Sequence, residues 1–249
     1  MPLELPAATR LAWWGTAWLR GTVVTDLMID AVIGDEATHA IAGLAELGLG
    51  GDGSTETLLG GLARLRAEGA TAFGAAYPVD GDPVGLGGPT AFNTAALDAG
   101  EAVVAIGTEV GLVPVTVGAA TTWVAHRAAR RPLADVGEAD RALRESLLEA
   151  TRDLARLDVA AWRPEVADRL MNLRHRPAAH APEGVPARCV DLVGRALQAL
   201  EIVDLALEDD GGALSLHDAQ QREAALRPLA RAGRRALVAA SSPEVWPPS

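Results

Sequence analysis

The stretch Gly48-Leu49-Gly50-Gly51-Asp52-Gly53-Ser54-Thr55 carries the spacing of a phosphate-binding loop, G-x-x-x-x-G-K-[S/T], with Ser54 in the lysine position. A glycine loop that opens a helix can present backbone N–H groups to a phosphate. On that chemistry Gly50, Gly51, Gly53, Ser54 and Thr55 are candidate ligand-binding residues. Asp52 works against it by adding a negative charge inside the loop. The same residues also suit a plain connection in which Ser54 caps the following helix. A second candidate is the stretch 80–89, DGDPVGLGGP, where Asp80 and Asp82 form a D-x-D pair of the kind that holds Mg²⁺. D-G and D-P steps are equally the ordinary chemistry of turns. No dedicated set of metal ligands is assigned.

The remaining polar candidates are weaker. Asp26 and Asp30 stand four apart on one helical face, where paired carboxylates share a proton or simply face solvent. The histidines do not cluster; only His175 and His180 lie close, in a Pro-rich stretch beside Arg174 and Arg176. Cys189 falls in the first turn of an expected helix next to Arg188, a setting that favours thiolate. No G-x-S-x-G surrounds any serine. Trp13, Trp14 and Trp18 are three of six tryptophans in the chain. Trp14 and Trp18 share an apolar stripe, the mark of core packing, and Trp13 flanks it, so any exposed edge there would suit a partner subunit. Arg227, Arg231 and Arg234 recur at i, i+4, i+7, a basic stripe for an acidic partner.

Absences remove whole chemistries. All 22 basic residues counted as Lys plus Arg are arginine. With no lysine there is no Schiff base to pyridoxal phosphate, no Walker-type P-loop lysine and no kinase β3 lysine. A single cysteine excludes an intramolecular disulfide and Cys-ligated zinc. The other cofactors are left open. The formal net charge is −11, and it is uneven: residues 1–125 hold 4 arginines against 14 acidic residues. Nucleic acid is a poor partner for such a chain, which also lacks aromatics interleaved with its arginines. Leu11–Ile33 is interrupted by Arg20, Asp26 and Asp30, too polar for a membrane span. The expectation is a cytoplasmic protein that does not bind membrane.

These residues need elements to hold them. At 249 residues, 49% of them hydrophobic, the chain can bury a substantial core. Ala7, Leu11, Trp14 and Trp18 mark a first helix stopped by Gly21, and Thr22 caps a second through Val32. Strands are expected at 38–44, 71–77, 101–106, 112–117 and 121–126. Helices intervene, one capped at Ser54 and one at 90–99. Strand–helix–strand order favours a parallel core, with the last three strands as an antiparallel extension. The loops at 45–53, 78–89 and 107–111 would then line one crevice. From Asp135 onward the pattern is helical, with Pro228 kinking or breaking the last helix and a frayed SSPEVWPPS tail. The fold class is α/β (or α+β): a small mixed sheet with flanking helices at 1–132, packed against a helical domain at 133–249.

Two functions fit. One is a non-catalytic interaction, scaffold or regulatory protein, a homo-oligomer or one docking a protein partner. The other is an enzyme or sensor that binds a phosphorylated or metal-bound small molecule at loops 48–55 and 80–89. Whether the chain is an enzyme is left open.

Overall fold

The computed structural model describes residues 3–50, 53, 55–129, 131–156, 179–208 and 216–247, without the side chains of 153–156, 208 and 216–219. The first helical segment comes in three pieces: α1 (Ala7–Arg10), a π turn (Leu11–Gly15) and α2 (Thr16–Leu19). A π turn inserts one extra residue and rotates the helical face. Trp13 therefore turns inward together with Trp14 and Trp18, and all three are buried. The exposed edge expected of this cluster is absent. Its indoles serve the chain's own core, Trp13 Nε1 donating to Ala240 O at 3.1 Å.

The second helix, α3 (Thr25–Ile33), starts after Val24 rather than at Thr22. The Thr22 hydroxyl is spent elsewhere, donating to Ala17 O at 3.1 Å. Asp26 and Asp30 lie on its exposed side. Next come β1 (Thr38–Ala42), a short β2 (Thr55–Thr57) and α4 (Leu58–Ala67). Thr57, not Ser54, caps α4: its Oγ1 accepts from Gly60 N at 3.1 Å. Ser54 itself lies outside the described residues, as do Gly51 and Asp52. The order continues with β3 (Ala72–Ala76), α5 (Thr90–Ala99), β4 (Ala102–Ile106), β5 (Val110–Val117) and β6 (Ala120–Arg127).

The strands form one mixed sheet of six in the order β2-β1-β6-β5-β4-β3. Only β1 and β6 run parallel; β3/β4, β4/β5, β5/β6 and β1/β2 are antiparallel. The antiparallel run of the last three strands is present, but the expected parallel core is not. β1 pairs with β6 instead of β3, so β1 and β3 point in opposite directions. The loops that follow them leave from opposite ends of the sheet and share no crevice.

The helical part holds α6 (Val136–Arg156), α7 (Ala187–Glu208) and α8 (Leu216–Ala240). Asp135 caps α6 as expected, its Oδ1 accepting from Gly137 N at 2.7 Å and Glu138 N at 2.9 Å. α8 runs through Pro228 without ending there. The sequence also predicts a helix opening at Pro164, a stop at Gly211-Gly212 and a cap at Ser215, and these residues lie outside the described ones. One hydrophobic core is shared by residues on both sides of position 132. Ile41, Phe73, Leu112 and Trp123 of the sheet belong to it together with Leu192, Leu226 and Leu237 of the helices. α5 covers part of the opposite sheet face through Phe92 and Ala96.

The described part of the C-terminal segment, 241–247, is not frayed. Ser241 and Ser242 are fully buried. Ser241 O accepts from Ala75 N at 3.0 Å, so the tail supplies an acceptor to the open edge of β3. Trp246 Nε1 returns to Ala240 O at 2.9 Å. An edge strand left bare exposes unpaired backbone groups; here the chain's own end covers part of it. Arg131 locks the arrangement. Its guanidinium donates to Ala75 O (2.7 Å), Gly85 O (3.1 Å), Ser242 Oγ (2.9 Å) and both Glu244 carboxylate oxygens (3.2 and 3.1 Å). Gly74 makes room for it: a Cβ there would lie 2.0 Å from an Arg131 guanidinium nitrogen.

Candidate functional site

The glycine loop does not open a helix. It feeds β2, where Thr55 pairs with Ala42. Three strand residues thus separate the loop from the first turn of α4, and its N–H groups do not join that helix terminus. An arginine does stand beside Gly50, but Arg64 is already engaged: its Nε donates to Glu56 Oε1 at 2.7 Å and a terminal nitrogen to Leu49 O at 3.4 Å. Gly53 is exposed. Within the described part of 48–55, Gly48 N donates to Ala45 O at 3.0 Å and Leu49 N to Leu44 O at 3.1 Å.

The second loop behaves differently. Val79 and Asp82 exchange backbone hydrogen bonds, Val79 N to Asp82 O at 3.1 Å and Asp82 N to Val79 O at 2.9 Å. Asp80 and Gly81 occupy the two central positions, and Gly81 takes φ 75°, a conformation open to glycine at no steric cost. Asp80 is exposed, while the Asp82 side chain is 9% exposed. Among the described residues no group of three His, Cys, Asp or Glu is placed to hold a metal ion.

What Asp82 meets is the basic stripe of α8. Arg231 Nε lies 3.3 Å from Asp82 Oδ2, within hydrogen-bond reach. Arg234 approaches the same oxygen and Arg235 the other, each at 3.8 Å, an ion-pair distance that leaves their N–H groups unspent on Asp82. The Nε of Arg234 is buried and has no hydrogen-bond partner. Burial lowers the pKa of Arg234 from the usual arginine value, and Asp82 and Asp204 oppose that shift. Three guanidinium groups thus gather around Asp82, with Asp204 also acting on Arg234. Arg227 sits one turn back and is paired with Glu223 at 3.1 Å, both largely exposed.

Asp82, Arg227, Arg231 and Arg234 line a cavity of about 500 Å³ between the 79–82 turn, α7 and α8, together with Asp80 and Glu223. Val203 and Leu207 of α7, Val79 and Ala230 complete its wall. Two candidate sets that sequence reasoning kept apart, Asp80 and Asp82 as ligand residues and Arg227, Arg231 and Arg234 as an interface, meet here. Arg235 continues the stripe at i+8; its spacing is visible in the sequence, its approach to Asp82 is not.

Other polar groups are committed to structure. His39 is buried. Its Nδ1 accepts from Trp123 Nε1 at 3.2 Å, and its Nε2 lies 3.1 Å from Glu36 Oε2. Burial lowers the His39 pKa, with Glu36 opposing. Burial pushes the Glu36 carboxyl up, but the Thr121 hydroxyl, His39 and Arg10 together hold it below the usual carboxylate range. His126 packs near Phe92, ring centroids 6.2 Å apart, and its pKa is lowered by burial. His180 lies against Trp14 at 5.1 Å, while His175 is outside the described residues. Cys189 is buried, and desolvation raises its thiol to about 11, against the thiolate that the neighbouring Arg188 favours.

A six-stranded mixed α/β protein with an arginine-lined cavity on its helical side defines the class structurally. No solved structure matches this chain. The chain belongs to the Rv1486c-like protein family: residues 8–136 match the model of the family's N-terminal domain and 137–238 that of its C-terminal domain. It is 30% identical to the uncharacterized protein Rv1486c of Mycobacterium tuberculosis strain H37Rv over 286 aligned positions, covering 95% of this chain and 97% of that one. The uncharacterized protein MT1533 of M. tuberculosis strain CDC 1551 matches with the same identity and coverage. Among the described residues no helix is long and apolar enough to cross a membrane.

Proposed function

We propose that this protein is a non-catalytic binding protein, a cytoplasmic sensor or regulator, whose ligand is a small organic anion held between the 79–82 turn and α8. One observation carries the reading. Arg231, Arg234 and Arg235 close on Asp82, and only Arg231 hydrogen-bonds to it. Buried donors left unmade are costly, on the order of 1–3 kcal/mol each and more when charged. An anion that accepts from Arg234 removes that cost on binding. Guanidinium groups suit phosphate and carboxylate because their N–H fork matches those oxygens. The cavity size falls within the roughly 300–1,000 Å³ usual for small-molecule sites.

Thermal denaturation with inorganic phosphate, pyrophosphate and citrate, against chloride at equal ionic strength, tests this. An anion at about 100 times its Kd stabilises by roughly 2.7 kcal/mol. At about 2–4 °C per kcal/mol for a chain of this size, the shift is roughly 5–11 °C. Arg234→Gln should abolish it. Asp82→Asn should enlarge it, because one competing negative charge is gone; a carboxylate that ligated a metal-bound substrate would show the reverse. Equal shifts in wild type and Arg234→Gln would refute the site. Self-association is the second reading. It is favoured by the charge division between the halves and not by the tryptophans, and sedimentation equilibrium at low and high salt tests it.

A further inference from the structure

We infer that the ligand is a phosphate monoester with an apolar body, its phosphoryl group on Arg231 and Arg234 and its body along α7. This rests on the anion-binding reading above and specifies its ligand class. Volume comes first. A cavity of about 500 Å³ has room for well over ten waters at about 30 Å³ each, so the few atoms of a bare phosphate leave most of it unfilled. One side of the wall is apolar. Val79, Val203, Leu207 and Ala230 line it. Leu207 is 43% exposed, an apolar side chain held open to solvent beside the arginines. A ligand that covered only the arginines would leave that surface wet; one with an apolar body removes it from water.

The donors argue for phosphate over carboxylate. Arg231, Arg234 and Arg235 reach Asp82 from three positions on the last turns of α8, at 3.3 to 3.8 Å. A planar carboxylate suits one fork-on-fork pair, and Asp82 makes only a single bond to Arg231, Nε to Oδ2 at 3.3 Å. A tetrahedral phosphoryl group offers three terminal oxygens to donors arriving from different directions. Its charge near −2 at neutral pH pairs with two guanidinium groups, those of Arg231 and Arg234. The exposed carboxylates of Asp80 and Glu223 stand at the same cavity. They disfavour a ligand whose body carries further negative charge, such as a nucleoside triphosphate.

Calorimetric titration with three probes separates the possibilities: inorganic phosphate, glycerol 3-phosphate and phenyl phosphate. Phenyl phosphate is expected to bind at least about tenfold tighter than the other two, the order of effect of burying most of a ring against aliphatic side chains. Leu207→Ser should remove most of that preference and leave the inorganic phosphate affinity within about twofold. Equal binding of phenyl phosphate and glycerol 3-phosphate would overturn the apolar-body inference while leaving the anion site standing. Binding of citrate with no phosphate-bearing probe binding would overturn the choice of phosphate. Failure of every anion would overturn both this inference and the reading beneath it.

Discussion

Replacing Arg131 with methionine should strip the protein of a large share of its stability. The guanidinium is 2% exposed and sits at the junction of β3, the loop after it and the C-terminal segment. Methionine keeps much of the apolar stem and deletes every donor. Ala75 O and Gly85 O lose an accepted bond each, the Ser242 hydroxyl loses its donor, and Glu244 loses its counter-charge. Removing one partner of a buried pair costs about 3–5 kcal/mol. Glu244 is 27% exposed and hydrates partly once freed, which places the loss toward the lower end. At about 2–4 °C per kcal/mol, Tm should fall by roughly 6–20 °C. Urea denaturation of wild type, Arg131→Met, Glu244→Gln and the double variant measures both the loss and the coupling. The coupling should exceed about 1 kcal/mol, as for residues in one network. A loss under about 1 kcal/mol for Arg131→Met would refute the view that this clamp holds the tail to the sheet.

Two further outcomes follow from groups already described. The His39 pKa is lowered by burial from 6.5, so the folded state favours the neutral ring. That contribution is complete above about 6.5, the unfolded value, and is lost as pH falls below it toward the folded value; Glu36, held low, adds loss in the same direction below about 4.5. A protonated His39 would also turn Nδ1 into a donor facing the Trp123 N–H. Stability measured by urea from pH 8 to 5 should therefore fall with acid, and His39→Gln should flatten the upper part of that slope. For Cys189, a thiol at about 11 instead of 9.0 has about a hundredfold less thiolate at pH 8, besides being buried. Ellman titration should find it unreactive in the native protein and fully reactive in denaturant; prompt native labelling would contradict its burial.

Local signals were legible where local chemistry decides. The helix Thr90–Ala99 lies where its pattern and the following Gly100 place it, and Asp135 caps α6 through bonds within three residues. The mixed sheet with a helical C-terminal part was also readable from periodicity. Strand direction was not, because it depends on which strands become neighbours. β1 finds β6, some 80 residues on, and no short-range pattern records that choice. The tail read as frayed because its partners, Ala75 and Arg131, lie more than 100 residues upstream. At α4 two plausible caps compete within four residues, and the intervening β2 hands the role to Thr57. The site was half legible: the arginine stripe and the D-x-D turn were each visible, but the ion pair from Arg231 to Asp82 spans 149 residues. The apolar stripe foretold the burial of Trp14 and Trp18; that of Trp13 comes with the π turn in the first helix, which α-helical spacing does not foresee.

On the proposed reading, Arg234 offers buried donors to an anion. Side-chain Nε–Hε NMR spectra of ¹⁵N-arginine-labelled protein, titrated with phenyl phosphate and inorganic phosphate, test it most directly. The Arg234 signal, assigned through Arg234→Gln, should shift saturably along with that of Arg231, while the fully bonded Arg131 signal stays in place. Anion titrations that leave Arg234 and Arg231 unmoved, or that move every arginine in proportion to salt, would contradict the claim.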